Sequence, residues 1–371
     1  MDKPKKRRLK IKGVPENGRN TVRMRVRLDE VEMINDYRAL LNGSISAGVE
    51  SEDVKYAWIP KRNEEGDKMN FMVKNPNFGG ELVKKNEFKD ELIRSIKGHA
   101  PVYPKIQRKK TKEGHLLIID IADLHINKYA ETFLTGKEYN SKIAVERALS
   151  GTKGLIKKAS GFNIDKILFV VGNDVLNTDG HTRTTTKGTP QDTDTHWFTA
   201  FNIARECYVK CIEMCLGVAN VDVVHCPSNH DYVTGSLLAE TLAAWFRKSK
   251  NITFQTSPKY RKYYMYYGNM IELEHGDKGK KNNLPLVMAQ EEPKMWAATK
   301  FRYAYLHHVH HSDKTQFQSE KDYIGVNATY LRSPSSADLW HYESQYMNLV
   351  AVEGFIHSKN MGRVSHLTHY F

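Results

Sequence analysis

The stretch LLIIDIADLH, residues 116–125, decides the fold, because a long apolar run in it ends in carboxylate and imidazole side chains. Branched and aliphatic residues in such a run are typical of a strand that is buried on both faces of a sheet. The triplet Asp123-Leu124-His125 then lies where the strand ends, and open α/β sheets bind ligands at the carboxyl ends of their strands. The stretch therefore predicts one strand of an α/β sheet with a functional group at its end.

Four other segments repeat this arrangement farther along the chain. Polar residues follow the apolar runs ILFVV, VDVVHC and MIELE and the more aromatic run FRYAYL. In chain order these clusters are Gly172-Asn173-Asp174, Asn229-His230-Asp231, His275-Gly276-Asp277 and His308-Val309-His310. Because successive strand ends meet at one edge of a sheet, we expect these groups to converge. Carboxylates, an amide and imidazoles without cysteine suit a hard or borderline divalent metal ion.

The segments between the clusters predict a layered α/β fold. Helices are expected at 141–158, 196–216 and 236–249, alternating with the strands. Thr234 or Ser236 could cap the last of these helices. Successive βαβ units make parallel strands, and later strand segments joined by short turns add further pairs. We predict a four-layer α-β-β-α sandwich of two mixed sheets over residues 113–371.

Residues 1–112 differ from the rest in charge. They contain 27 Lys and Arg against 16 Asp and Glu, a surplus of 11, whereas the remainder has 29 against 27. Helical spacing at 27–43 and 81–98 and a strand at 70–74 predict a small basic α(+β) accessory unit, winged-helix-like and DNA-binding. The segment 100–114 reads as its linker. A basic N-terminal segment often follows a phosphate backbone, although residues 1–12 could equally be a solvated tail.

The composition excludes several other classes of protein. No apolar stretch reaches the 18 residues of a membrane span, and the basic N-terminus is followed by no secretory signal. Only four cysteines occur, which predicts no disulfide scaffold and fits a reducing cytoplasm. Three of them, Cys207, Cys211 and Cys215, fall on one helix face, where a buried stripe is favoured over a zinc site.

The order D-x-H, G-D, N-H-D, H-G and H-x-H resembles the calcineurin-like dinuclear metallophosphoesterases over about residues 114–335. Within that family the chain is most similar to the DNA repair exonuclease branch. Its Thr- and Gly-rich segment TTTKGTPQD also resembles versions carried by tailed bacteriophages. The resemblance implies a metal-dependent phosphoesterase that binds two divalent ions, with Mn²⁺ favoured and Mg²⁺, Fe²⁺ or Zn²⁺ as alternatives.

The resemblance also implies a role for each cluster. The first metal ion would be held by Asp123, His125 and His310. The second would be held by Asn229, His275 and His308. Asp174 would bridge the two ions. His230 would stabilise the transition state or protonate the leaving oxygen.

Four further residues are weaker candidates. Asn177 matches a family position near the site, and Asp231 would either orient His230 or close its turn. Lys187, in the Thr-rich segment, could contact the substrate, although a solvated loop is an equal alternative. Arg332 could also face the site, with a surface or packing role as the alternative.

Two positions depart from the family pattern. Asn173 stands between the usual glycine and aspartate, so either Asp174 bridges the ions or Asn173 occupies the bridging position. The continuation Asp174-Val-Leu-Asn177 favours Asp174. His307 replaces the usual glycine before H-x-H, and its side chain is expected to donate to ligands nearby or to lie in solvent.

We therefore predict metal-dependent phosphodiester hydrolysis of DNA by a nuclease or repair-exonuclease-like enzyme. A small-molecule phosphatase or cyclic-nucleotide phosphodiesterase would use the same metal chemistry. A third alternative is a non-catalytic DNA-binding protein that retains the metal site. Predicted partners are DNA and an ATPase or other protein, and no membrane. The location expected is the cytoplasm, that of the host if the chain is phage-encoded.

Overall fold

The computed structural model of the chain describes eight segments, and the fold is given for these alone. They are residues 56–62, 68–74, 103–108, 113–279, 281–307, 320–337, 339–343 and 349–371. The chain divides into two units, Met1–His99 and Ala100–Phe371, and each is described by itself.

In the first unit the described residues form an antiparallel hairpin of β1 (Tyr56–Arg62) and β2 (Lys68–Lys74). The sequence predicted the second strand but not the first, because β1 contains Pro60. Proline is tolerated in an edge strand, and both strands of a two-stranded sheet are edges. The helices predicted at 27–43 and 81–98, and with them the winged-helix interpretation, lie outside the described residues.

The second unit contains a six-stranded mixed sheet in the order β13-β12-β3-β4-β5-β6. Its strands are β3 (His115–Asp120), β4 (Ile164–Gly172), β5 (Asn220–Cys226), β6 (Ile252–Gln255), β12 (Ala351–Ser358) and β13 (Gly362–Tyr370). Strands β3 to β6 are parallel, as their helical crossovers require. Strands β12 and β13 add an antiparallel pair beside β3.

A five-stranded mixed sheet has the order β10-β11-β9-β8-β7. Its strands are β7 (Lys262–Tyr266), β8 (Asn269–Glu274), β9 (Phe301–Leu306), β10 (Glu320–Tyr323) and β11 (Val326–Tyr330). Strands β8, β9 and β11 are parallel to one another, and β7 and β10 are antiparallel edges.

Helices cover the outer face of each sheet among the described residues. The helices of the described residues are α1 (Thr132–Thr135), α2 (Ser141–Lys158), α3 (Trp197–Val218), α4 (Tyr232–Trp245), α5 (Leu284–Glu291), α6 (Pro293–Ala298) and α7 (Leu339–Glu343). Helices α2, α3 and α4 pack on the six-stranded sheet, and α5 and α6 share an apolar core with the five-stranded sheet. A third core fills the space between the sheets. The predicted four-layer α-β-β-α sandwich is confirmed.

Strand β3 shows how the sequence sets these layers. Leu117 and Ile119 point into the core with the helices, whereas Leu116 and Ile118 point into the core between the sheets. Because side chains alternate along a strand, a strand in the middle of four layers must be apolar on both faces. The unbroken apolar run quoted above follows from this requirement.

Helix α4 begins at Tyr232, four residues earlier than the sequence predicted, so neither Thr234 nor Ser236 is its cap. The first turn is capped instead by the Asp179 carboxylate, which accepts hydrogen bonds from the N–H groups of Val233 and Thr234. The Thr234 hydroxyl donates to the same carboxylate. A cap supplied from a distant loop leaves no signal in the local sequence.

Residues 103–108 fall inside the segment predicted as a linker, and they lie against the sandwich. The Tyr103 hydroxyl donates to Glu213 at 2.6 Å, and its ring stacks on Phe246 with centroids 5.0 Å apart. Arg108 donates to the Asn220 side chain at 2.7 Å. Within the described part of the chain, no helix is both long enough and apolar enough to cross a membrane.

Candidate metal centre

Predicted site residues follow the ends of four strands, and the edge at which these strands end is called the rim here. Asp123 and His125 follow β3, Asp174 follows β4, and Asn229 and His230 follow β5 in the six-stranded sheet. The remaining described member, His275, follows β8 in the other sheet. The predicted ligands His308 and His310 lie outside the described residues.

The turn after β4 is tight and left-handed. Gly172 has φ of 123°, and a Cβ on it would lie 2.0 Å from the carbonyl oxygen of Cys226. Asn173 and Asp174 follow with φ of 55° and 61°, a region that costs most residues about 1–2 kcal/mol each. Asn and Asp are the non-glycine residues that best tolerate it, so the sequence Gly-Asn-Asp suits the turn.

Backbone hydrogen bonds join this turn to the loop after β3. The N–H of Asp123 donates to the Asn173 carbonyl at 2.7 Å, and the N–H of His125 donates to the Asp174 carbonyl at 2.9 Å. Asp123 and His125 themselves have φ of 50° and 49°. Strained backbone of this kind persists where surrounding contacts fix it, and it is common at functional sites.

Two groups of side chains at the rim have the geometry of metal ligands, and Asp174 belongs to both. One group is His125, Asp174 and His230, and the other is Asp123, Asp174 and His275. Within each group the ligand atoms all lie within 4.8 Å of one another. A carboxylate common to two groups is the arrangement that a bridging ligand requires. Two pairings differ from those that the resemblance implied. Asp123 is grouped with His275, although these residues were assigned to different ions, and His230 lies within ligand distance of the first group, although it was given a catalytic role.

The predicted ligand Asn229 lies against the second group. Its side-chain oxygen is 2.7 Å from Nε2 of His275, and this nitrogen is also 3.2 Å from Oδ2 of Asp174. An amide oxygen, an imidazole and a carboxylate oxygen therefore meet at one point. The Ser228 hydroxyl helps to hold Asp174 in place, because it accepts a hydrogen bond from the Asp174 N–H at 2.8 Å.

The electrostatics of the pair Asp174 and His275 follow from their burial. Burial alone would raise the pKa of Asp174, but the imidazoles of His275 and His230 lower it well below its usual value. Burial likewise would lower the pKa of His275, but the Asp174 carboxylate raises it to about 9. The buried Asp174 carboxylate therefore stays ionised, because the neighbouring imidazole supplies positive charge. In a metal centre a bound cation supplies that charge.

His230 is half-buried at the mouth of the site. Its Nδ1 lies 3.0 Å from the carbonyl oxygen of Asn177, which can only accept, so Nδ1 carries a proton. The second ring nitrogen, Nε2, is thereby left for another partner. The ring meets that of His125 edge-on, with centroids 4.6 Å apart.

Asn177 and Asp231 both help to build this turn. The Asn177 side chain donates to the Asp192 carbonyl at 3.2 Å, so it is the Asn177 backbone that contacts His230. The Asp231 carboxylate accepts from Oγ of Ser228 at 2.6 Å and from the N–H of Leu176 at 3.0 Å. It therefore closes the turn, and burial raises its pKa to about 7 with a further contribution from Asp174.

The two predicted substrate residues are placed differently. Lys187 is exposed on the Thr-rich loop, which reaches the site because the N–H of Thr186 donates to the Asn229 carbonyl at 3.1 Å. Arg332 forms an ion pair with the buried Glu353 carboxylate at 2.9 Å. Its neighbour Ser333 donates to the Asp123 carbonyl at 2.7 Å, so this segment lies behind the site.

Beneath the rim, Asp120, Asn173 and His307 form a buried polar group, named the sub-rim cluster here. Nε2 of His307 is 2.8 Å from the Asp120 carboxylate, and Nδ2 of Asn173 donates to Asp120 at 3.3 Å. Asn173 thus points away from the shared carboxylate of Asp174. Burial would lower the pKa of His307, but Asp120 raises it above its usual value. Sequence reasoning singled out Asn173 and His307 but missed Asp120, a carboxylate inside an apolar run.

The chemistry of the donor set fits divalent metal ions. Asp123, Asp174 and His275 are almost completely buried, and such groups are costly to bury unless a partner compensates them. Their atoms are carboxylate oxygens and imidazole nitrogens, the ligands that Mn²⁺, Fe²⁺ and Zn²⁺ accept. The four cysteines lie in the apolar cores, so no thiolate joins the described groups.

Comparison with known proteins adds little to this geometry. No protein-family model and no curated protein matches the chain. Among solved structures, one match is a double mutant of Vps29 from Entamoeba histolytica, with 11% sequence identity and a TM-score of 0.27. That match covers 69% of this chain and 99% of the other. At this score the likeness carries no weight, and the fold assignment depends on the sheets and helices described above.

Proposed function

We propose that residues 113–371 hydrolyse phosphodiester bonds with the help of two divalent metal ions, and that the substrate is DNA. The observation that carries the proposal is the buried Asp174 carboxylate, which belongs to two ligand groups at once. One ion needs one group of ligands, so a shared carboxylate between two groups supports a dinuclear centre. The sequence resemblance to calcineurin-like phosphoesterases points to the same chemistry.

The residues at the rim have different roles in the proposed reaction. Bound divalent ions supply electrostatic stabilisation of the phosphate and lower the pKa of water, which makes a nucleophile near neutral pH. Asp174 holds the shared negative charge, and Asp123, His125, Asn229 and His275 supply further ligand atoms, joined in the proposal by His308 and His310. The backbone carbonyl of Asn177 fixes the tautomer of His230. Nε2 of His230 then stabilises the phosphate or protonates the leaving oxygen.

Charge outside the sandwich favours a polymer over a small substrate. The surplus positive charge is concentrated in residues 1–112. Within that part, the hairpin strands contain the basic residues Lys61, Arg62, Lys68 and Lys74, but the segment between them contains three acidic residues, so most of the surplus comes from the rest of residues 1–112. Basic segments of this kind bind phosphate backbones without reading the sequence. The repair-exonuclease branch, the phage origin, an ATPase or other protein partner and a cytoplasmic location belong to the same proposal, supported by the sequence alone.

A substrate panel tests the proposal. We expect the full chain to cleave single- or double-stranded DNA in the presence of Mn²⁺, and Asp174→Ala to reduce this by more than about 100-fold while the fold is retained. Cleavage of a nitrophenyl phosphate ester without cleavage of any nucleic acid would replace DNA by a small substrate. DNA binding without hydrolysis under Mn²⁺, Mg²⁺, Fe²⁺ and Zn²⁺ would replace the enzyme by a binding protein.

The role of the hairpin is tested by salt dependence. Replacement of Lys61, Arg62, Lys68 and Lys74 by Gln in the full chain should weaken DNA binding and flatten its dependence on salt, by about 0.9 in logarithmic slope per lost phosphate contact. A matched control replaces four exposed lysines of the sandwich, Lys142, Lys153, Lys157 and Lys250. Equal effects of the two sets would show that total charge, and not the hairpin, sets the affinity.

A further inference from the structure

The sub-rim cluster joins the two sheets directly beneath the candidate metal centre. Asp120 ends β3, and Asn173 follows β4 in the six-stranded sheet, whereas His307 follows β9 in the five-stranded sheet. Each of the three side chains is at most 1% exposed. Besides its contact with Asp120, His307 donates through Nδ1 to the Glu274 carbonyl at 3.0 Å. One small group of atoms therefore links four strand ends.

Asn173 and His307 are each hydrogen-bonded to a predicted metal ligand through the backbone, and the third member, Asp120, is hydrogen-bonded to both of them. The Asn173 carbonyl accepts the N–H of Asp123 at 2.7 Å, and Asn173 directly precedes Asp174. The N–H of His307 donates to the His275 carbonyl at 3.1 Å. A shift of this cluster would therefore move groups of both ligand sets.

The ligand groups themselves depend on the spacing of the sheets. Asp123 and Asp174 come from the six-stranded sheet, and His275 comes from the five-stranded sheet. Nε2 of His275 lies 3.2 Å from the Asp174 carboxylate across this boundary. Metal ligands must hold their positions to within a few tenths of an ångström, so the sheets need a fixed separation at the rim.

Stability alone does not explain a buried ionic pair at this place. Replacing such a pair by apolar residues of similar volume is often neutral or stabilising, because desolvation of the charges offsets their attraction. Directly below the cluster, the space between the sheets is filled largely by apolar side chains such as Ile118, Leu273 and Phe355. A hydrogen-bonded pair fixes the distance and the relative orientation of its two groups, whereas an apolar contact does not.

We infer that Asp120, Asn173 and His307 are positioning residues, which hold the two sheets at the separation that the metal centre requires. The inference rests on the proposed function to the extent that the centre binds divalent ions. None of the three residues is a ligand in it. They act through the backbone of Asp123, Asp174 and His275, as partners outside the ligand set do in known metal sites.

The test measures Mn²⁺ affinity by calorimetry together with thermal stability, in the full chain. Asp120→Asn and His307→Gln should each weaken Mn²⁺ binding by about 10–100-fold. The double variant should bind Mn²⁺ no more weakly than the weaker-binding of the two single variants, because the two residues form one pair. Asn173→Gly provides a variant that keeps the left-handed backbone without strain, and it should lose affinity without losing stability.

Tyr305→Phe is the matched control. It removes the hydrogen bond from Tyr305 to His357, another fully buried link between the sheets, two residues before His307. We expect a lower melting temperature and unchanged Mn²⁺ affinity. If the cluster variants behave in the same way as this control, the positioning role is wrong while the metal centre stands. If the unmodified chain binds no Mn²⁺, the proposed function fails and the positioning role with it.

Discussion

Two buried histidines lie between the same two sheets, and their surroundings are opposite. His307, directly beneath the rim, is paired with the Asp120 carboxylate, which raises the pKa of the histidine. His357, deeper in the layer, lies 2.7 Å from the Tyr305 hydroxyl and 3.3 Å from the Asn269 side-chain oxygen. Burial, with a contribution from Arg363, lowers the pKa of His357 to about 3.

The difference shows where this fold places charge. At His357 the amide oxygen of Asn269 accepts from Nδ1, so Nε2 accepts the Tyr305 hydroxyl and the ring stays neutral. At the rim and directly beneath it, carboxylates and imidazoles lie next to one another, as Asp174 and His275 do at the rim and Asp120 and His307 do below it. Neutral links suffice to join the sheets, and ionised groups collect where ligands are predicted. Changes at the rim should therefore alter function, and changes in the deeper layer should alter stability.

The largest effect is expected for His230→Gln. General acid or transition-state stabilisation by one side chain contributes about 10²–10⁴-fold, so kcat should fall by that factor. Mn²⁺ affinity should change little, since His230 is proposed to act on the phosphate. The measurement is single-turnover cleavage beside a Mn²⁺ titration. A variant that loses Mn²⁺ but cleaves normally when saturated would make His230 a ligand instead.

Gly172→Ala should reduce both function and stability, because Gly172 forms the turn that carries Asp174. The added Cβ would meet the Cys226 carbonyl at 2.0 Å with φ at 123°, which predicts a loss of about 2–4 kcal/mol in unfolding free energy. Urea denaturation measures this. The control Gly217→Ala, in α3 with no atom within 4 Å of its added Cβ, should stabilise the chain by about 0.5–1 kcal/mol. Equal responses at the two glycines would contradict the strained turn.

His357 predicts a pH dependence of stability that leaves metal binding untouched. Its folded pKa of about 3 lies below the value of about 6.5 in an unfolded chain, so protonation favours the unfolded state as the pH falls below 6.5. Between pH 7 and pH 5 this one residue should cost about 2 kcal/mol. His357→Gln should remove that part of the slope in urea denaturation. An unchanged slope would mean that His357 titrates normally in the folded protein.

The smallest effect is expected at Lys187, which is exposed on the loop beside Asn229. Lys187→Gln should weaken DNA binding equally for all sequences and reduce the logarithmic salt slope by about 1. Stability should stay the same. Binding measured by fluorescence anisotropy at several salt concentrations would detect this, and an unchanged slope would return Lys187 to the role of a solvated loop residue.

The fold and the convergence of the strand ends could be predicted because the sequence signals for both are local. Apolar runs identify buried strands, and polar residues at their ends must share an edge in a parallel sheet. The order of the motifs then suggested which residues serve as ligands, and the structure brings the described ones together. His308 and His310 stay predictions.

What the sequence did not predict depends on partners that are remote along the chain. Asp120 pairs with His307, which is 187 residues away, and nothing near Asp120 indicates that contact. Asp179 caps α4 from a loop 55 residues before Thr234. Strand β1 was missed since Pro60 opposes a strand locally, whereas an edge position tolerates it. A charged residue inside an apolar run is the one signal that could have indicated Asp120.

Whether Asp174 bridges two metal ions can be measured by counting bound Mn²⁺ and recording its electron paramagnetic resonance spectrum. We expect two ions per chain with a spin-coupled spectrum. In Asp174→Asn the coupling should be lost together with at least one ion. A chain that binds one uncoupled ion or none, with the same result for Asp174→Asn, would contradict the bridging role of Asp174.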